Sequence, residues 1–139
     1  MNNLYGKRAI LYRRVSTSDQ KNYGNSLSNQ QSRLYDFCRN HSIEIIKDFE
    51  EDYSAKDFAR PVFNKLIEYA ALNKNNIDYL LVYKWDRFSR NTLDSLNMIK
   101  QFKGFNIEVN CSEQWINHDD PNQLINCSIS EINSLAGVL

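Results

Sequence analysis

The stretch Ala9-Ile10-Leu11-Tyr12-Arg13-Arg14-Val15-Ser16-Thr17 decides how the chain reads. An apolar run ends in two arginines, and two hydroxyl residues follow at once. A buried strand that stops at Arg-Val-Ser-Thr sets guanidinium groups and a hydroxyl at one edge of a sheet. Open α/β sheets bind and react at that edge, outside the carboxyl ends of their strands. Taken alone, such a stretch also describes a strand ending in ordinary surface residues. A second cluster changes the reading: Asp86-Arg87-Phe88-Ser89-Arg90 again follows an apolar, strand-like run.

Outward from that stretch, short apolar runs alternate with helical periodicities. Strands are predicted over residues 8–15, 43–49, 77–83 and 105–110. A first helix opens at Ser26 or Ser28, either of which can cap it, with Gln31 three residues after Ser28. It repeats Leu27, Leu34, Phe37 and Cys38 at helical spacing and stops at Asn40. A second helix opens at Pro61, whose missing N–H costs nothing in a first turn. Phe63, Leu66, Ile67, Ala70 and Ala71 form its apolar stripe. A third runs from Asn91, its cap, to Lys103, with Asp94 near its start and Gly104 as its stop. Glu50-Glu51-Asp52 reads as a solvated run that opens a loop through residue 59. This alternation predicts an α/β fold: a flavodoxin-like, mostly parallel sheet of order 2-1-3-4 with helices on both faces. Strands one and three are then neighbours at the switch point, and Ser16 faces residues 86–90 across one crevice.

A chain of 139 residues, 42% hydrophobic and 24% charged, holds one domain with a proper core. No apolar run approaches the ~20 residues that span a bilayer. The start, Met1-Asn2-Asn3-Leu4-Tyr5, has no secretory apolar core, so a cytoplasmic setting without membrane contact is expected. Cys38, Cys111 and Cys127 lack zinc spacing and read as reduced thiols. His41 and His118 stand apart from any partner motif and read as structural or surface residues. Formal net charge is +0 with a pI near 6.7. A free-standing DNA-binding domain is usually basic. Either the chain meets no nucleic acid, or it is a catalytic module whose DNA affinity lies in another part of the protein. Residues 1–120 are expected to form the domain. Over residues 121–139, Ile125, Ile129, Ile132, Ala136 and Leu139 draw a narrow apolar seam, which suits either the start of an association helix cut at Leu139 or a helix packed on its own sheet.

Ser16 lacks the histidine and the Gly-x-Ser-x-Gly turn of an acyl-transfer site. No Gly-x-x-x-x-Gly-Lys loop exists. Arg14, Arg87 and Arg90 would gather around Ser16 if the crevice forms, and guanidinium groups grip phosphate oxygens and stay charged. Asp86 is placed to orient an arginine or handle a proton. No Asp/Glu constellation for a two-metal site is visible. The chemistry indicated is serine attack on a phosphodiester, with positioning and charge supplied by arginines and without metal or cofactor.

In these residues the chain resembles the catalytic domain of serine site-specific recombinases, the resolvase/invertase family, in the style of its large and transposon-borne members. Tyr12-x-Arg14-Val15-Ser16-Thr17 resembles the nucleophile motif, and Ser26-Leu27-x-x-Gln30 the opening of the next helix. Asp52-Tyr53-Ser54-Ala55 with Arg60-Pro61-x-Phe63 resembles the mobile loop and its arginine. Asp86-Arg87-x-Ser89-Arg90 resembles the Asp-Arg-x-x-Arg signature, and the segment 21–25 resembles an insertion of the larger members. The resemblance implies Ser16 as nucleophile and a 5′-phosphoserine intermediate on double-stranded DNA. Arg14, Arg87 and Arg90 would stabilise the transition state, joined by Arg60 when its loop closes. Tyr12 and Gln30 would support the site, and Asp86 would hold an arginine. Dimers and tetramers, and DNA-binding domains outside this chain, are implied likewise.

Two other readings share the fold. One is a non-catalytic, flavodoxin-like module that binds an anion or assembles through its terminal helix. The other is a nuclease- or phosphatase-like site in which water completes the reaction.

Overall fold

A computed structural model of the chain describes residues 3–16, 23–53, 57–120 and 122. Four strands, β1 (Arg8–Val15), β2 (Glu44–Asp52), β3 (Tyr79–Val82) and β4 (Glu108–Cys111), alternate with helices. The helices are α1 (Leu27–Asn40), α2 (Pro61–Leu72), α3 (Trp85–Phe88) and α4 (Thr92–Gly104). The sheet runs β2-β1-β3-β4, and each neighbouring pair is parallel. The sequence expectation of order 2-1-3-4 therefore holds.

The two faces follow from the period of two along a strand. Ile10 and Tyr12 of β1, with Leu80 and Val82 of β3, pack with Phe63 and Leu66 of α2 and Phe102 of α4. Ala9 and Leu11, with Leu81 and Tyr83, turn to the other face and meet Leu34 and Cys38 of α1. The larger core is aromatic: Phe63 meets Tyr12, Phe58, Phe88 and Phe102 with ring centroids 4.9–6.1 Å apart. The edge-on pairs with Tyr12, Phe88 and Phe102 each add ~0.5–1.5 kcal/mol beyond burial.

Helix starts obey their capping residues. Ser26 caps α1 by accepting the Asn29 N–H, Pro61 occupies the first turn of α2, and Asn91 accepts the Asp94 N–H at α4. Gly104 is the last residue of α4, and the chain turns through Phe105 and the left-handed Asn106 beyond it.

Three expectations need correction. The second strand runs to Asp52, so Glu50-Glu51-Asp52 belongs to β2 and is not a solvated loop opening. Glu51 is buried, while Glu50 and Asp52 are exposed. The ladder explains it, because Arg13, Arg14 and Val15 pair with Glu50, Glu51 and Asp52 and carry β2 as far as β1. Tyr79–Val82 and Glu108–Cys111 are shorter than the runs predicted for them, limited to where a partner is available. Finally, α3 went unpredicted, since four residues are too few to show a period. The seam from Ile125 to Leu139, with Cys127, lies outside the described residues, as do Thr17, Ser54 and Ala55.

A one-residue irregularity early in the β1–β2 ladder decides which side chains of β2 reach which face. Ala9 pairs with Ile45 but Ile10 with Lys47, leaving Ile46 as the extra residue. A shift of one residue exchanges the faces of every later side chain. Past it, Phe49 joins the α2 face and Asp48 bonds Tyr35 and Gln31 of α1.

Candidate active site

At the carboxyl end of β1, Arg14 is 1% exposed and Arg87 of α3 is 0% exposed. The Arg14 guanidinium donates through Nε to the Arg87 carbonyl (3.0 Å), through Nη2 to the Asp86 carbonyl (2.8 Å) and through Nη1 to the Tyr53 carbonyl (2.7 Å). Arg87 returns the bond, Nη1 donating to the Arg14 carbonyl at 3.4 Å, while its Nε donates to Asp86 Oδ1 at 3.1 Å. Burying a guanidinium costs several kcal/mol unless its donors are met, and here main-chain oxygens and one carboxylate meet them.

Gln30 reads the backbone of the same residue. Its Oε1 accepts the Arg14 N–H (3.2 Å), and its Nε2 donates to the Arg14 and Asn25 carbonyls, each at 2.8 Å. The Ser26 cap fixes where α1 begins, and Gln30 in that first turn locks the helix onto the strand end. On the far side, the Trp85 N–H donates to Gln114 Oε1 and the indole Nε1–H to the Gln114 carbonyl, both at 3.0 Å. The segment after β4 thus clamps α3, which carries Asp86 and Arg87.

A second cluster adjoins on the α2 face. Tyr12 Oη–H donates to Glu51 Oε1 at 2.7 Å, and Arg60 Nη1 donates to Tyr12 Oη at 3.4 Å. Arg60 is the N-cap residue of α2 and is wholly buried. Its guanidinium lies 4.3 Å from the Phe58 ring centroid and 5.9 Å from those of Tyr12 and Phe63, and its Nε donates to the Asp57 carbonyl at 2.7 Å. Burial raises the Tyr12 phenol pKa; the Arg60 charge pulls it back in part, and the bond to Glu51 adds to the rise.

Ser16 is the first residue past β1 and is half-buried. The Tyr53 N–H donates to the Val15 carbonyl at 2.9 Å and ties the start of the 53–60 segment to the residue before it. Of the residues singled out in the sequence, Arg14, Gln30, Asp86 and Arg87 are joined directly, and Tyr12 and Arg60 form the neighbouring pair. Arg90 lies exposed between α3 and α4. Sequence reasoning missed Glu51 and Gln114. Extending the strand alternation to Glu51 would have flagged the first, whereas nothing local marks Gln114.

The strand-end edge thus brings the Arg14 and Arg87 guanidiniums together two residues before Ser16, on a chain of net charge +0. Among the described residues no group of three or more His, Cys, Asp or Glu is placed to hold a metal ion. No helix among them is long and apolar enough to cross a membrane. Fold and site together define a parallel α/β domain whose strand-end edge is lined with arginine.

The particular family follows from comparison. The family description "Resolvase, N terminal domain" matches residues 9–134. The chain belongs to this family and is a serine recombinase catalytic domain. It is similar to the N-terminal catalytic domain of TP901-1 integrase at 28% identity, covering 93% of this chain and 95% of that one, with a TM-score of 0.74. A resolvase family site-specific recombinase from Streptococcus pneumoniae is also 28% identical, over 93% and 89% of the two chains, with a TM-score of 0.70. The catalytic domain of the IS607-like serine recombinase ISC1926 TnpA shares the fold at 24% identity, 94% and 84% coverage and a TM-score of 0.65. No curated protein matches.

Proposed function

We propose that this domain carries out site-specific DNA recombination with Ser16 as its nucleophile. Ser16 Oγ attacks a phosphodiester of double-stranded DNA, the new Oγ–P bond replaces the P–O3′ bond, and the serine proton is balanced by protonation of the departing 3′-oxygen. A 5′-phosphoserine link and a 3′-hydroxyl remain, and religation reverses the attack after strand exchange. The observation that carries this reading is the reciprocal Arg14–Arg87 pairing at the end of β1, two residues before Ser16.

Arg14, Arg87 and Arg90 are assigned to the charge that develops on the phosphate oxygens. Arg60 joins them when the 53–60 segment rearranges. Asp86 orients Arg87, Gln30 fixes the Arg14 backbone, and Tyr12 supports Arg60. Residues 1–120 are assigned to the catalytic part, and residues 121–139 to the association of subunits into dimers and tetramers.

The test incubates the protein carrying this domain with duplex DNA flanking its gene, reading band shift and covalent adduct in one reaction. An adduct mapping by mass spectrometry to Ser16, absent in Ser16→Ala at unchanged melting temperature, is expected. Adduct formation by a folded Ser16→Ala protein would refute the assignment.

A further inference from the structure

We propose that Glu51 is a positioning residue of this site, setting through the Tyr12 hydroxyl where the Arg60 guanidinium lies; the inference rests on the catalytic role proposed for Arg60. Glu51 is 4% exposed, although it stands between two exposed acids. Both its oxygens are in use. Oε1 accepts from Tyr12 Oη (2.7 Å) and the Phe63 N–H (3.1 Å), and Oε2 accepts from the Val62 N–H (2.8 Å). Those two N–H groups belong to the first turn of α2, whose N-cap residue Arg60 supplies no side-chain cap. One carboxylate therefore closes the start of α2, immediately after Arg60, and grips the tyrosine that Arg60 touches.

Hydrogen-bond polarity turns this contact into control. A phenol has one proton, and an ionised carboxylate can only accept. Glu51 accepts the hydrogen bond from the Tyr12 O–H, so the lone pairs of Oη are left for the Arg60 Nη1–H. Glutamine at this place could donate its own N–H to the phenol, and the freed phenolic proton would then oppose the guanidinium. Around these groups lie Phe58 and Phe63, an apolar setting in which a reversed dipole is felt strongly. The irregularity at Ile46 sets the parity that puts Glu51 on this face; Glu50, one residue earlier, reaches Arg13 Nη2 at 3.4 Å instead.

The test reads Arg60 directly, through hydrogen exchange of its Nε–H in the 15N-labelled chain by NMR. In the wild type this proton, donated to the Asp57 carbonyl, is expected to exchange slowly. Glu51→Gln and Tyr12→Phe are each expected to speed its exchange about tenfold or more, the equivalent of one charge-assisted hydrogen bond, while the Arg87 Nε–H stays protected. Tyr12→Phe leaves the carboxylate on the Val62 and Phe63 N–H groups, so it separates the relay from helix capping and serves alone if Glu51→Gln fails to fold. Unchanged Arg60 exchange in Tyr12→Phe overturns the proposal, as does unchanged exchange in a folded Glu51→Gln. The same variants are then assayed for the Ser16–DNA adduct, where a slower rate at unchanged band shift is expected. Absence of adduct in the wild type would count against the recombination chemistry, and the exchange data would still decide the place of Glu51.

Discussion

Arg14 directs three of its N–H groups at carbonyl oxygens of Tyr53, Asp86 and Arg87, a fork geometry that no other side chain offers. Lysine, with its donors clustered on one atom, cannot reach three such sites at once. Arg14→Lys is therefore expected to lower stability by about 2–4 kcal/mol in urea unfolding and to abolish adduct formation. A stability change within about 0.5 kcal/mol would show that the carbonyl bonds carry no net weight. Of these contacts the sequence shows only half. Arg14 beside Ser16, and Asp86-Arg87 after another strand, mark the residues that meet. That they meet through main-chain carbonyls is invisible, because any residue has one. Glu51 was hidden for another reason: three acids in a row read as surface unless the strand is continued through them.

At the scale of elements, the start of α1 is where local sequence exerts most control over the site. Ser26 Oγ accepts the Asn29 N–H at 3.1 Å, and Gln30 occupies the next position. Ser26→Ala is expected to cost about 1 kcal/mol, while Ser28→Ala, which removes no cap, is expected to cost a few tenths at most. Equal losses in thermal unfolding would mean that Ser28 shares the cap. Caps and stripes made three helices legible, since each rests on a side chain bonding its own backbone or on a repeat of several turns. The fourth, α3, has neither: Lys84 before it supplies no side-chain cap, and its clamp, Gln114, comes from 29 residues away. Strand ends were misjudged where the partner strand, and not the residue type, determined how far pairing ran.

For the whole molecule, parallel pairing followed from the alternation of strand and helix, because parallel neighbours require a crossover between them, while the order 2-1-3-4 came with the flavodoxin-like topology. Burial adds a property that no local pattern reveals. Burial pushes the Cys38 thiol from its ordinary 9.0 up to about 12. Burial, with Glu108 and Asp78 nearby, raises the Tyr79 phenol from 10.0 to about 12. Between these values the unfolded chain has released protons that the folded chain still holds, so unfolding gains as pH rises. This contribution to stability is complete below pH 9 and is lost progressively towards pH 12. The urea midpoint is expected to be lower at pH 11 than at pH 8, with Cys38 unreactive to thiol reagents in the folded chain at pH 8. A midpoint that does not change over this range would contradict the burial described for both groups.

The bonds of the Arg14 guanidinium span 39, 72 and 73 residues of chain. During synthesis, Arg14 leaves the ribosome long before its partners do. Until residue 87 has emerged and α3 has docked, two of the three carbonyl bonds that hold that guanidinium are missing. A nascent or half-folded copy thus has a hydroxyl but no assembled charge, and the strand-breaking chemistry proposed for the domain is withheld from it. On the proposed function, the arginine that completes the centre is also its safety catch, because the charge it brings is assembled only once α3 is in place.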